Sequence, residues 1–209
     1  MNQKKSQIVF IHGGTAYATR EAYLDGLRAR TVTQEDIDAM LAGGRKKWRD
    51  ALRTQLSDTH DVLMPQMPCG WNARYEEWVI WFEKFVPFLR DDVIFVGYSL
   101  GGIFLAKYLV ENALPVRIAQ LHLVAAPIED TPEEPLCDFN LDDVTQLKEL
   151  ESRAKEIVIY HSEDDPVVPF KDAVAYAHYL PGAEFVRFLD RGHFFQEDFP
   201  ELISRVRDA

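Results

Sequence analysis

Short apolar runs, each closed by turn residues, punctuate the chain. Ile8-Val9-Phe10-Ile11 stops at Gly13-Gly14, Asp61-Val62-Leu63-Met64 at Pro65, and Val93-Ile94-Phe95-Val96 at Gly97. Ile118 to Ala125 ends before Pro127, Ile157 to Tyr160 before an acidic turn, and Phe185 to Leu189 before Asp190-Arg191-Gly192. Continuous apolar runs of this length mark strands covered on both faces. Between them the period becomes helical. Trp78, Phe82, Phe85 and Leu89 step by 4, 3 and 4, an apolar stripe with Asn72 as its candidate cap and Pro87 set to end or distort its last turn. Leu100 to Asn112 is apolar almost all round and predicts a buried helix. Val144 to Lys155, Asp172 to Tyr179 and Glu201 to Val206 predict three more. Strands alternating with helices predict parallel βαβ units with right-handed crossovers, covered on both faces.

The first crossover departs from this economy. It takes 47 residues, Thr15 to Asp61, where one helix and two short loops suffice. Thr33 with Asp36 has the form of a capping box, followed by Ile37, Met40 and Leu41. Gly43-Gly44 breaks that helix, and Trp48, Leu52 and Leu56 define the next. Tyr17 to Gly44 therefore reads as an insertion.

Composition narrows the class. A chain of 209 residues, with neither repeat nor linker, predicts one domain over 1–209, since domains average roughly 150 residues. A charge of −11 repels a phosphate backbone, so no nucleic-acid partner is expected. Two cysteines, Cys69 and Cys137, are too few for a disulfide framework or a zinc site, although one bridge between them stays open. Four apolar residues after Lys4-Lys5 are too few for a signal-peptide core, and no apolar run is long enough to span a membrane. The expected address is the cytoplasm. No two of the six histidines are spaced i,i+4 around a glutamate, so neither metal nor cofactor is expected.

The chemistry begins at Gly97-Tyr98-Ser99-Leu100-Gly101, which fits the G-x-S-x-G nucleophile elbow: a strained strand-to-helix turn with a strand before it and a helix after. Such a turn puts Ser99 at a helix amino end, where dipole and free amides favour negative charge. A serine hydroxyl needs a base, and the base an orienting acid. In this arrangement the chain order is Ser, then Asp or Glu, then His. Glu163-Asp164-Asp165 follows the fifth strand and Gly192-His193-Phe194 the sixth, and the carboxyl ends of parallel strands share one sheet edge. An oxyanion needs donors. The Leu100 amide supplies one, and the loop His12-Gly13-Gly14-Thr15 the other, with Gly14 first and Thr15 second. Thr15, Tyr17, Tyr98 and Phe194 flank these groups and are the candidate substrate contacts.

With these motifs the chain resembles the α/β-hydrolase superfamily and, more narrowly, the small, lid-poor serine hydrolases of the retinoblastoma-binding-protein-9 type and their bacterial YdeN-like relatives. The resemblance runs through Ile8 to Thr15, Pro65 to Pro68 with Trp78, Val93 to Gly102, Asp165-Pro166-Val167-Val168-Pro169 and Gly192-His193. It implies a three-layer fold whose mainly parallel six-stranded sheet has the order 2-1-3-4-5-6, helices on both faces and a minimal cap. It implies Ser99 as nucleophile, Asp165 as acid in preference to Asp164, and His193 as base. The expected activity is cleavage of a carboxylic ester or related acyl bond of a small molecule through an acyl-enzyme, without a cofactor. Thioesterase or amidase chemistry runs on the same residues. A vestigial site in an interaction protein, with Trp71, Tyr75 and Trp81 as a surface patch, is the competing class. Two departures from compact members stand out. The 17–44 insertion is long, with Tyr17, Tyr23, Leu24, Leu27 and Met40 as candidates for a small lid, and Ile128 to Glu156 has no room for a large cap.

Overall fold

The computed structural model describes residues 5–44, 47–131 and 135–208. Six strands form one sheet: β1 (Ser6–Ile11), β2 (His60–Leu63), β3 (Val93–Tyr98), β4 (Ile118–Val124), β5 (Ala154–Ser162) and β6 (Glu184–Phe188). Their spatial order is β2-β1-β3-β4-β5-β6, and every pairing is parallel. This is the three-layer architecture and strand order expected from the sequence.

The apolar runs work because alternate residues enter two separate cores. On one face Val9, Ile11, Phe95, Leu121 and Ile159 pack against α4 (Tyr75–Phe82), α5 (Leu100–Glu111) and α7 (Phe170–Tyr179) through Trp78, Phe82, Phe104 and Tyr176. On the other, Ile8, Phe10, Ile94, Val96 and Val158 meet Trp48, Leu52 and Leu56 of α3 (Trp48–Leu56). Leu202, Ile203 and Val206 of α8 (Pro200–Arg207) complete that second core. Each large side chain fully buried in this way stabilises the fold by roughly 1.5–3 kcal/mol.

Four local expectations change. The stripe from Trp78 breaks early: α4 ends at Phe82, and Val86–Phe88 forms a 3-10 turn with Pro87 inside it, as a ring lacking an N–H requires. Arg74, not Asn72, is the residue before α4, and its side chain makes no cap. Val144 to Lys155 is not one helix. Val144–Glu149 is 3-10, α6 is the single turn Leu150–Arg153, and β5 already begins at Ala154. The insertion also carries a helix with no strong periodic signal, α1 (Arg20–Ala29), capped by Thr19 Oγ1 accepting from the Ala22 amide. The capping box of α2 (Gln34–Leu41) forms as expected between Thr33 and Asp36.

Candidate active site

The carboxyl ends of β1, β3, β5 and β6 bring the chemical groups to one edge of the sheet. Ser99 sits between β3 and α5 with φ 54° and ψ −125°, a conformation that costs a non-glycine residue on the order of 1–3 kcal/mol. Neighbouring structure holds it there. The Ser99 amide donates to the Val124 carbonyl (2.8 Å), and its own carbonyl accepts from the Gly102 amide (2.8 Å). The motif glycines are steric necessities: a Cβ at Gly97 would lie 2.6 Å from the Gly101 oxygen, and one at Gly101 would lie 2.3 Å from the Ile11 oxygen. The turn thus needs β1, β3 and α5 in near contact.

Of the acidic triplet, Asp165 meets the histidine. His193 Nδ1–H donates to Asp165 Oδ2 at 2.8 Å, and the Asp165 side chain is fully buried. Its other oxygen accepts the Val167 and Val168 amides (2.8 and 3.0 Å), so the carboxylate cannot rotate away. Asp164 does something else. Its Oδ1 accepts from the Ser162 hydroxyl and the Gly192 amide, and these bonds hold its carboxyl below the usual range. Ser162 Oγ in turn accepts the Arg191 amide (2.9 Å). The two neighbours therefore split the work, one oriented on the imidazole and one on the backbone that carries it.

Further clamps fix the histidine loop. Tyr98 Oη donates to the His193 carbonyl (2.7 Å), and Trp48 Nε1 donates to the Phe194 carbonyl (3.0 Å). The Trp48 amide reaches the Gln196 carbonyl (3.2 Å). These partners come from two distant segments, and no local motif announces them. The only legible hint is Tyr98 inside the elbow. Beneath the pair, His161 is fully buried, donates from Nε2 to the Val168 carbonyl (2.9 Å) and stands 3.6 Å from Asp165 Oδ2. Burial lowers its pKa, so it is a neutral packing partner of Asp165.

Ser99 and His193 open onto a cleft of about 1120 Å³, along with Gly13, Gly14, Thr15 and Tyr98. Leu100 is the first residue of α5, where an amide has no intrahelical acceptor. The Thr15 amide donates to the Gly70 carbonyl (2.9 Å), so that amide is already engaged. His12 fixes this loop: Nδ1–H donates to the Gly13 carbonyl (2.6 Å), and Nε2 accepts the Met67 amide (2.9 Å). Burial first, and Arg49 to a lesser degree, lower the His12 pKa.

Two expected substrate contacts lie elsewhere. Phe194 has φ +53° and is buried in the core with Phe188 and Phe199; Phe195 lines the cleft instead. Tyr17 packs on Tyr23 and over Gly26. None of Tyr17, Tyr23, Leu24, Leu27 and Met40 lines the cleft, where residues 17–44 contribute Arg30. The supposed aromatic patch is not continuous either. Trp71 lines the cleft, Tyr75 packs on Phe104 and Phe139 with its hydroxyl on Glu111, and Trp81 lies against Phe85. Cys69 and Cys137 are free thiols. Among the described residues no His, Cys, Asp and Glu group is placed to hold a metal, and no helix is long and apolar enough to cross a membrane.

Residues 29–200 match the family model described as serine hydrolase. The serine hydrolase RBBP9 of Rattus norvegicus is 28% identical over 146 residues, covering 69% of this chain and 75% of its own length. Among solved structures, the ydeN gene product from B. subtilis superposes with a TM-score of 0.74 at 21% identity, covering 98% of each chain. Est1E from Butyrivibrio proteoclasticus superposes at 0.62 with 13% identity, covering 98% of this chain and 86% of its own. The structural likenesses carry the α/β-hydrolase fold.

Proposed function

The chain belongs to the serine hydrolase family, and on that premise we propose that it cleaves carboxylic esters of small molecules through a Ser99–His193–Asp165 triad. The observation that carries this reading is the 2.8 Å bond from His193 Nδ1 to an Asp165 carboxylate pinned by two amides. It commits Nδ1 as a donor and leaves Nε2 as the one nitrogen able to take a proton. Ser99 Oγ attacks the acyl carbon and gives its proton to Nε2. The imidazolium that forms is stabilised by Asp165. Negative charge on the carbonyl oxygen is met by the Leu100 and Gly14 amides, worth roughly 3–4 kcal/mol for each well-aimed donor. His193 then protonates the leaving alcohol, and water repeats the sequence on the acyl-enzyme.

Ester is the preferred bond because an alcohol leaves more readily than an amine, and the machinery described asks for nothing beyond the triad. The clamps on the His193 loop favour a working site over a vestigial one, since a scaffold protein has no need to orient an imidazole on a buried carboxylate and pin the backbone that carries it. Two free thiols fit a reducing compartment such as the cytoplasm.

Fluorophosphonate labelling read by intact mass tests the assignment. The wild type takes one adduct, and Ser99→Ala takes none. Turnover falls by about ten-thousandfold in Ser99→Ala, His193→Ala and Asp165→Asn. Asp164→Asn keeps most of it, because that carboxylate touches backbone and not the ring. A folded wild type that resists labelling, or labelling that survives Ser99→Ala, removes the proposal.

A further inference from the structure

The protein carries 34 acidic and 23 basic residues, yet one wall of its cleft is cationic. Arg30, Lys47, Arg49 and Arg53 line it, and among the described residues Asp50 is the one carboxylate that does. Asp50 is already engaged, with Oδ2 accepting the Lys47 amide at the start of α3.

Helix geometry explains how this wall arises. Trp48, Leu52 and Leu56 bury one face of α3. Arg49 and Arg53 follow the first two of them by one position each, so they form an i,i+4 pair along the border of that face. The border looks into the cleft. Arg49 is half-buried there, and its charge reaches both His12 and the Tyr98 phenol, the two residues that flank Ser99 on the β1 loop and on β3. Among the described residues neither Arg49 nor Arg53 has a carboxylate within ion-pair distance, whereas Arg28, Arg90, Arg117, Arg187, Arg191 and Arg205 all do. Two guanidinium groups without a counter-ion, one of them half-buried, are an unusual expense in a chain this acidic. Arg30 stacks on Trp71 at 4.7 Å, and both line the cleft together with the apolar Phe10 and Met64.

We infer that Arg49 and Arg53 form an anion subsite, and that the ester this cleft accepts carries a second, oxyanionic group, a carboxylate or a phosphate. The inference rests on the hydrolase reading for the word ester alone; the subsite stands on its own. Guanidinium forks match the geometry of both anions, and a partly desolvated cleft strengthens the attraction. A negative protein surface around a positive cleft also repels anionic ligands everywhere except at the site that uses them.

Affinity tests this separately from catalysis. Ser99→Ala protein is titrated calorimetrically with two esters of matched length, 4-nitrophenyl hemiglutarate and 4-nitrophenyl valerate. The anionic ester binds about tenfold or more tightly, as expected for hydrogen bonds to a charged group. Adding Arg49→Gln and Arg53→Gln together brings the ratio to within about twofold of unity, while Arg117→Gln, which removes the same charge far from the cleft, leaves the ratio intact. Competition by glutarate against inorganic phosphate then tells carboxylate from phosphate. Equal affinities in the parent protein overturn the subsite, as does a preference that survives the double substitution or disappears in Arg117→Gln. Failed fluorophosphonate labelling with the affinity ratio intact would instead remove the hydrolase assignment and leave the subsite standing.

Discussion

Helix α5 and the pair α1–α2 are opposite solutions to the same problem of holding a helix in place. Eleven of the twelve residues of α5 are buried, and none of the eighteen in α1 and α2 is. The first is held by tertiary contact on every side. The others are held by local devices, the Thr19 cap and the Thr33–Asp36 box, each worth about 1 kcal/mol. The strained Ser99 turn is fastened to the first kind of helix, where the surroundings can oppose strain. The insertion of the first crossover, which gives the cleft only Arg30, is built from the second kind, whose conformation the core does not dictate. Chemistry is thus placed on the rigid platform and not on the locally held helices.

Truncation on the platform should break the comparison most severely. Phe104 of α5 is fully buried among Tyr75, Trp78, Phe82 and Tyr108, and Phe104→Ala should cost about 3–5 kcal/mol in denaturant unfolding. A loss under about 1 kcal/mol would mean that α5 is far looser than its burial indicates.

Acid should act on the platform next. His12, His60, His122 and His161 all have pKa values lowered chiefly by burial, His122 down to about 3. Folding makes each of these rings harder to protonate, whereas the unfolded ring takes a proton below about pH 6.5. Stability is therefore fully present above that pH and declines as pH falls, by up to about 1.4 kcal/mol per pH unit for each histidine. Melting temperature followed from pH 7 to pH 5 should drop, and His122→Gln should flatten the slope. A flat profile in the wild type would contradict the burial of these rings.

The smallest effect belongs to α2. Met40 and Leu41 are largely exposed, and Met40→Ser with Leu41→Ser should change stability by less than about 0.5 kcal/mol each. A cost above about 2 kcal/mol would place these side chains against a surface and erase the contrast.

Legibility in the sequence follows the same division. Strands, the elbow and the order Ser99, acid, His193 could be read because each depends on local grammar: an apolar run, a glycine-bracketed turn, a strand end. The capping box at Thr33 was readable for the same reason. Val144 to Lys155 misled because its apolar residues serve a 3-10 turn, one helical turn and the opening of β5, three elements too short for periodicity to separate. Phe194 reads as a substrate contact in the sequence, but positive φ at Gly192 and Phe194 turns the chain so that its ring enters the core.

By itself the sequence determined the order of elements, the two-sided burial of the sheet and the convergence of Ser99, an acid and His193 on one edge, since apolar patterning and parallel topology dictate all three. The family resemblance favours Asp165 over Asp164, and only the tertiary structure gives the reason between neighbours of identical chemistry: Asp165 is the one that reaches an imidazole 28 residues away. Only it turned Arg49 and Arg53 toward Ser99, because the burial of Trp48, Leu52 and Leu56 sets the rotation of α3, and long-range packing sets what that helix faces.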